Sequence, residues 1–222
     1  TDIKTGGVFA YRNNRRKPRG VGKPNQAMDN LLTITAISGW AIPQKWFQKE
    51  ILTAFPGSRI EVIYPENPES NEEAEKNLRR YPADLYIGYS LGSLWLLKYK
   101  DLLPMTAKKA LLAPILSFLD KDGLGGTTSE TQLNYLSRQM KQNPDSSSCL
   151  KQFFSYSKLP YPENLIDELP SRDILLKGLD FLKTCRVKGE DSKIFLSILG
   201  EDDIFVDGKM LQTHIPHLDI IQ

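Results

Sequence analysis

The stretch that decides the fold is residues 83–97, ADLYIGYSLGSLWLL. Its first six residues predict a short buried strand, and the Leu- and Trp-rich run from Leu91 predicts a helix. Between them lies Gly88-Tyr-Ser-Leu-Gly92, a G-x-S-x-G pattern whose two glycines suit a very tight turn from strand to helix. Ser90 is therefore predicted to have a strained backbone and a hydroxyl at a helix N-terminus, where a developing anion is stabilised. The alternative is a tight turn with an inert serine.

Strands and helices alternate along the chain on both sides of this turn. Leu31–Ser38 is apolar and β-branched, as is typical of a strand covered on both faces. Pro43 is expected at the first position of a helix, and Ser70 with Glu73 predicts a capping box for the next helix. Further strands are predicted at Arg59–Tyr64, Lys109–Leu116, Lys193–Leu199 and Leu218–Gln222. This alternation predicts a mostly parallel sheet with its functional site beyond the carboxyl ends of the strands.

The pattern changes over residues 117–187, where no strand is predicted. Helical periodicity is found around Leu133, around Leu150 and around Leu175, with Gly- and Pro-rich breaks between them. We interpret this segment as a helical cap inserted above the sheet. The predicted fold class is α/β, namely an α/β-hydrolase fold with a mostly parallel sheet flanked by helices, formed by residues 31–222.

Residues 1–30 form a basic leader. They hold seven Lys and Arg and two Asp, a net charge of +5, while the other residues sum to −3. A basic run at residues 15–19 could contact nucleic acid or an acidic partner, but a poorly ordered, solvated leader is the favoured interpretation. We therefore expect no nucleic-acid partner.

The composition narrows the class of protein further. Hydrophobic residues make up 40% and charged residues 25% of the 222 residues, which is ordinary for a globular protein. No run is long enough to span a membrane, and the start lacks the apolar region of a signal peptide. Cys149 and Cys185 are expected to be buried free thiols in a reducing compartment. We expect a cytoplasmic monomer with no membrane partner, no metal and no cofactor.

A serine hydroxyl becomes a good nucleophile only when a base accepts its proton, and an acid usually orients that base. In this fold the acid follows a strand beyond the cap, which points to the loop after Lys193–Leu199. Asp203 is the favoured acid because the spacing Gly200-x-x-Asp203 turns it back toward Ser90. Asp202 is the alternative, and two solvated loop carboxylates are the remaining interpretation.

The oxyanion that forms during ester cleavage needs two backbone N–H donors. Leu91, directly after the predicted nucleophile, should supply one of them. Trp40, in the loop after the first strand, should supply the other, and its side chain should form a wall of the acyl pocket. Ordinary packing of a buried aromatic ring is the alternative for Trp40.

The sequence does not identify the residue that would act as the base. His214 and His217 are the two histidines, and both precede the last predicted strand, whereas the triad histidine of this fold follows it. We therefore expect the catalytic histidine a few residues beyond Gln222, with His217 as the fallback. A half-exposed structural histidine is the alternative for both.

Several of these motifs together resemble one family, the pimeloyl-acyl-carrier-protein methyl ester esterases of biotin biosynthesis. Ser38-Gly-Trp40 is similar to the family's oxyanion turn, with Ser in place of its usual His. The turn at Gly88–Gly92 and the acid turn Gly200-x-x-Asp203 are similar to theirs, and Gly178-Leu-Asp-Phe-Leu-Lys-Thr184 resembles the segment that closes their cap. The resemblance covers about residues 31–222.

The resemblance implies a serine carboxylesterase that hydrolyses the methyl ester of pimeloyl-acyl-carrier protein. It implies Ser90 as nucleophile, Asp203 as triad acid, and Trp40 and Leu91 as oxyanion donors. The acyl-carrier protein would be the substrate carrier, held by basic cap residues such as Arg138. The alternatives are a broad carboxylesterase or thioesterase, and a catalytically impaired pseudohydrolase that acts as a binding module.

Overall fold

The computed structural model describes residues 31–143, 147–157, 166 and 168–222. The leader predicted at residues 1–30 lies outside this part of the chain. The strands are β1 (Thr33–Ile37), β2 (Arg59–Ile63), β3 (Leu85–Tyr89), β4 (Lys108–Leu112), β5 (Leu196–Gly200) and β6 (Asp219–Ile221). The α-helices are α1 (Gln44–Ala54), α2 (Asn71–Arg80), α3 (Leu91–Lys98), α4 (Glu130–Gln142), α5 (Ser147–Ser157), α6 (Arg172–Thr184) and α7 (Gly208–His214).

The six strands form one parallel sheet in the order β2-β1-β3-β4-β5-β6. The predicted parallel sheet is thus confirmed, and its strand order reverses direction between β1 and β3. The carboxyl ends of these two neighbouring strands therefore lie side by side, which is where ligands bind in open parallel sheets. The serine turn after β3 and the Ser-Gly-Trp turn after β1 meet at this point.

Helix α3 is the most deeply buried helix of the described chain. All residues from Leu91 to Leu97 are buried, including Trp95 at 1% exposure. A helix that is apolar on every face belongs in a protein interior, which explains its lack of amphipathic periodicity. Helix α3 follows β3 directly, so the serine turn lies between a central strand of the sheet and a helix of the core.

Two helix starts differ in detail from the predictions. Pro43 is the N-cap of α1, one residue before the predicted position. At α2, the Ser70 hydroxyl accepts a hydrogen bond from the Glu73 N–H, as a capping box requires. The Glu73 carboxylate, however, accepts from the N–H groups of Glu66 and Asn67 instead of the cap residue. It thereby fixes the loop after β2 rather than completing the box.

Two strands differ from their predicted bounds by three or more residues at one end. β4 ends at Leu112, because Ala113 has a positive φ of 48° that turns the chain out of the sheet. β5 begins only at Leu196, since Gly189–Ile194 forms a 3₁₀ helix in place of the first strand residues. Both changes lie at strand ends, where apolar composition alone does not mark the boundary.

The segment between β4 and β5 contains α4, α5 and α6, and no β-strand longer than an isolated bridge is found in its described residues. Its two ends are joined near the sheet, where the Arg186 guanidinium pairs with the Asp122 carboxylate at 2.7 Å. Lys183 and Lys121 both pair with Glu130 at the start of α4. None of the helices in the described ranges is long and apolar enough to cross a membrane.

Candidate active site

Ser90 occupies a strained turn between β3 and α3. Its backbone has φ 54° and ψ −113°, a conformation that L-residues rarely adopt, and strain of this kind concentrates at functional sites. The Ser90 N–H donates to the carbonyl of Leu112 on β4 at 2.9 Å, and its carbonyl accepts from the N–H groups of Ser93 and Leu94. The turn is therefore held by its neighbouring strand and by its own helix.

Both glycines of the motif are required by close backbone approach. A Cβ on Gly92 would lie 2.2 Å from the carbonyl oxygen of Ile37 on β1. A Cβ on Gly88 would lie 2.5 Å from the carbonyl oxygen of Gly92. These distances are far below van der Waals contact, so the predicted reason for glycine at both positions is confirmed.

Ser93 secures the turn from the other side. Its buried hydroxyl donates to the Ser90 carbonyl at 2.6 Å and accepts from the N–H of Ile115 at 3.1 Å. This hydroxyl connects the serine turn to the loop after β4, so that two neighbouring segments fix the Ser90 backbone. No sequence motif includes Ser93, although a polar residue at a buried helix position indicates such a bond.

Ser90 lies in the wall of a cavity of about 850 Å³ between the sheet and the cap. The volume is within the range of ligand sites in proteins. Most of the described lining side chains are apolar, and they come from the strand ends, from α4, α5 and α6, and from the loop after β5. They include Trp40, Ile42, Leu112, Ile115, Phe118, Leu133, Leu136, Phe153, Tyr156, Leu179, Leu182, Ile198, Phe205 and Ile221.

A buried tyrosine accepts a hydrogen bond from the turn after β1. Ala41 has a positive φ of 56°, and its N–H donates to the hydroxyl oxygen of the buried Tyr64 at 3.2 Å. Burial raises the pKa of Tyr64 well above its ordinary value, so this hydroxyl stays protonated. Neither the backbone N–H of Trp40 nor that of Leu91 donates a hydrogen bond to another described residue. Both backbone donors predicted for the oxyanion are therefore unengaged.

The Trp40 side chain connects this turn to the cap. Its indole N–H donates to the carbonyl of Leu175 in α6 at 2.8 Å, and the ring is 5% exposed. A Cβ on Gly178 would lie 2.7 Å from the Trp40 ring, so glycine makes room for the indole against α6. The ring also packs edge-on against Phe153 of α5, with centroids 4.8 Å apart. Trp40 thus lines the cavity and joins the sheet to two cap helices.

Asp203 lies in the same cavity wall as Ser90. Its N–H donates to the Gly200 carbonyl at 3.2 Å, which closes the turn after β5. Its carboxylate accepts from the Phe205 N–H at 2.8 Å. Burial raises the pKa of Asp203, while the N–H groups of Phe205 and Val206 oppose part of that shift. Asp202 also lines the cavity but is exposed.

Tyr89, next to Ser90 in the chain, interacts electrostatically with the Asp203 carboxylate. Burial, and secondarily the negative charge of Asp203, raise the pKa of Tyr89 to about 12. Tyr89 directly precedes Ser90, so the carboxylate and the candidate nucleophile share one electrostatic environment. Asp203 is half-buried in the cavity wall whereas Asp202 is exposed, which favours Asp203 as the candidate acid.

The raised pKa of Asp203 gives a prediction for stability. Because the folded state disfavours the ionised carboxylate, folding stability decreases as the pH rises from the unfolded pKa, about 3.9, through the folded pKa. We expect Asp203→Asn to melt a few degrees above the wild type at pH 7.5, and the difference to shrink toward pH 4. The Asn side-chain oxygen can still accept from the Phe205 N–H. Thermal unfolding at both pH values is the measurement, and a less stable variant at pH 7.5 would contradict it.

Neither predicted histidine candidate lines the cavity. His214 places its Nε2 3.0 Å from the Gly123 carbonyl, and His217 places its Nε2 3.2 Å from the Ser192 carbonyl. Ile221 and Gln222, in contrast, do line the cavity. The carboxyl end of β6 therefore lies at the site, while the fallback His217 lies beside the 3₁₀ helix before β5.

An aromatic cluster that the sequence analysis did not identify surrounds Phe205. Its ring stacks on Phe153 at 5.6 Å and contacts Phe118 and Tyr156 at 5.7 and 6.1 Å between centroids. Phe205 lies two residues after Asp203 and donates its N–H to that carboxylate. The cluster therefore packs the loop after β5 against α5. The contacts join residues up to 87 positions apart, so no local sequence pattern could reveal them.

The described residues contain no group of three or more His, Cys, Asp or Glu side chains that could hold a metal ion. Both cysteines are buried free thiols, and burial raises the pKa of Cys185 to about 11. A thiol with such a pKa is a poor nucleophile. Within the described part of the chain, Ser90 is therefore the nucleophile candidate that faces the cavity with a strained backbone.

Comparisons with known proteins identify the fold. No family model and no curated protein sequence matches the chain. The structure is similar to that of the bottromycin epimerase BotH in complex with bottromycin A2, with a TM-score of 0.60 and 11% identity over 86% of this chain and 82% of the epimerase. It is also similar to an α/β hydrolase from Sphaerobacter thermophilus, with a TM-score of 0.47 and 14% identity over 85% and 83% of the two chains. At these identities the likeness concerns the fold alone. The predicted α/β class, with a mostly parallel sheet flanked by helices, is confirmed by the strand order and by the likeness to the epimerase structure.

Proposed function

We propose, from the α/β-hydrolase fold that this chain adopts, that the protein is a serine carboxylesterase acting on a carboxylic ester of an acyl chain. One observation carries the proposal. Ser90 has the strained backbone of a nucleophile turn and lies in the wall of an apolar cavity that it shares with Asp203. The proposed substrate is the methyl ester of pimeloyl-acyl-carrier protein, in biotin biosynthesis, which the motif resemblance favours.

The proposed reaction has two steps. Ser90 Oγ attacks the ester carbonyl carbon and gives its proton to a base, and the N–H groups of Trp40 and Leu91 stabilise the oxyanion. The base returns the proton to the leaving oxygen, so methanol departs and an acyl-serine ester remains. Water, deprotonated by the same base, then attacks the acyl-serine carbonyl. The base gives that proton to Ser90 Oγ as the C–Oγ bond breaks, so the carboxylic acid is released and the serine hydroxyl is restored. Asp203 orients the base and stabilises its protonated form.

The proposed base is a histidine held at the carboxyl end of β6, the position that the triad order of this fold implies. This strand end lines the same cavity as Ser90 and Asp203. His217 remains the fallback, but its ring would have to leave the Ser192 carbonyl and enter the cavity. The reading frame beyond Gln222 decides between these two assignments.

The cap supplies basic side chains for an acidic carrier protein. Arg138 and Lys141 on α4, Lys151 on α5, and Arg172 and Lys177 on α6 are exposed. No salt bridge joins any of these five to another described residue. Unpaired exposed cations steer an acidic partner by long-range attraction, which supports the acyl-carrier protein as the proposed substrate carrier.

The proposed chemistry is tested on the full-length protein with a fluorophosphonate probe and a chromogenic short-chain ester. We expect covalent labelling that peptide mapping locates at Ser90, and a burst of chromophore release equal to the enzyme concentration. Labelling of another serine, or neither labelling nor turnover, would reject the serine esterase.

The substrate is tested by measuring turnover of three kinds of compound at equal concentration. They are methyl pimeloyl-carrier protein, free short-chain esters and the thioester of an acyl-carrier protein. Faster turnover of methyl pimeloyl-carrier protein than of free short-chain esters would support the proposed substrate. Preference for the thioester of an acyl-carrier protein would indicate the thioesterase, and equal turnover of all short esters the broad carboxylesterase. Carrier-protein binding without any turnover would indicate the pseudohydrolase.

A further inference from the structure

The charged groups of the Ser90 cavity have one sign. The loop after β5 contributes three consecutive carboxylates, Glu201, Asp202 and Asp203. Glu201 and Asp202 are exposed, and Asp203 is half-buried deeper in the wall. No Lys, Arg or His belongs to the cavity wall as far as the chain is described. The site therefore offers an anion no counter-charge.

The rest of the described wall is neutral. Aromatic rings form one side, where Phe205 stacks on Phe153 and contacts Phe118. The polar lining groups on the cap side are uncharged, and among them the Thr127 hydroxyl already donates to the Ile204 carbonyl. Such a wall interacts favourably with a methylene chain, because each buried CH₂ group removes apolar surface from water.

A carboxylate at the far end of an acyl chain would bind poorly here. It would lose hydration on entering an apolar cavity, and it would approach carboxylates with no cation to compensate them. An amide or ester of the same size carries no charge and has neither cost. Like charges brought together are a common means of rejecting a competing ligand.

We propose that this site accepts esters whose acyl chain ends in a neutral group and rejects the same chain ending in a free carboxylate. The inference rests on the proposed esterase function and refines its substrate class. In a carrier-bound dicarboxylic acid the far carboxyl is a neutral thioester, whereas in the free half-ester it is an anion. The site therefore selects the carrier-bound, fully masked diacid over the free half-ester.

The kinetic test uses two methyl esters of equal length and shape on the full-length protein at pH 7.5. One is monomethyl pimelate, which is an anion at this pH, and the other is methyl pimelamate, in which a neutral amide replaces the carboxylate. We expect kcat/KM for the amide to be at least about tenfold higher, the ratio that corresponds to 1.4 kcal/mol. Equal values, or a faster anionic ester, would overturn the inference.

A variant pair shows whether the carboxylates cause the preference. Glu201→Gln/Asp202→Asn should reduce the ratio at least threefold, mainly by raising kcat/KM for monomethyl pimelate. Glu50→Gln/Glu190→Gln removes the same charge from exposed positions outside the cavity and should leave the ratio unchanged. An equal reduction in both variants would show a non-specific effect of net charge and overturn the assignment.

A binding measurement separates this inference from the proposed function. Octanamide and octanoate are titrated into the full-length protein by calorimetry, and we expect octanamide to bind at least about tenfold more tightly. If neither methyl ester is hydrolysed but this preference is found, the esterase fails and the charge selection stands. If esters are hydrolysed and octanoate binds as well as octanamide, or if neither ligand binds, the charge selection fails.

Discussion

Ser90→Ala in the full-length protein is expected to lower kcat/KM for a short-chain ester by at least about 10³-fold and to abolish fluorophosphonate labelling. The Ser90 side chain is half-buried in the cavity wall, and its backbone has a strained φ of 54°. Serine and alanine both have a Cβ, so the substitution removes the attacking Oγ without changing the backbone strain. Steady-state hydrolysis and probe labelling measure the two effects.

The matched control is Ser157→Ala, since Ser157 lines the same cavity and its hydroxyl only donates to the Phe154 carbonyl. It should retain kcat/KM within about threefold of the wild type. If Ser90→Ala kept its activity, or if both variants lost it equally while remaining folded, Ser90 would not be the nucleophile.

Gly92→Ala should lower the free energy of unfolding by more than about 4 kcal/mol, a decrease typical of a severe steric clash in the core. The added Cβ would lie 2.2 Å from the Ile37 carbonyl oxygen, 2.7 Å from its carbonyl carbon and 3.0 Å from its Cβ. The atoms it meets belong to the backbone of β1, which is hydrogen-bonded on both sides to β2 and β3. No side-chain rotation can relieve such contacts, so the strand or α3 must shift.

For a chain of this length the loss corresponds to a melting temperature lower by about 10 °C or more. Gly200→Ala is the control, because nothing lies within 4 Å of its added Cβ and its φ is not positive. It should cost no more than about 1 kcal/mol. Melting temperatures of the two variants that agree within 2 °C would show that the turn tolerates a side chain at Gly92.

The central part of the fold was predictable because local and global signals agree there. The run Leu85–Tyr89 is apolar, Ser90 follows it, and Gly88 and Gly92 mark a turn that only glycine permits. Each feature is readable within a few residues. The turn from Gly200 to Asp203 was similarly predictable, since its spacing is that of a four-residue turn.

The positioning of these groups was not predictable, because it depends on contacts between distant segments. Tyr64 looked like the last residue of a strand, yet its hydroxyl accepts from the N–H of Ala41. Glu73 fitted a capping box, but it binds two N–H groups of the preceding loop. In both cases a polar group has several possible partners in sequence, and only the tertiary structure selects one.

The position of the histidines could be judged only in part. The order of His214 and His217 before the last strand already argued against both, and the structure places both rings outside the cavity wall. What the sequence could not supply was the position of the chain at Gln222, which lines the cavity. That position depends on the pairing of β6 with β5.

The hydrogen bond from the Trp40 indole to Leu175 has a consequence for protein engineering. An insertion that merely covers a site can be exchanged between homologues, as loops commonly are. Here the inserted segment supplies a carbonyl acceptor at Leu175 and a side-chain-free position at Gly178 to a residue of the sheet-borne turn. A chimera with a foreign cap would leave a buried N–H unpaired, at a cost of about 1–3 kcal/mol, beside the proposed oxyanion donor. The inserted segment and the sheet-borne turn are thus one structural unit, to be transplanted together.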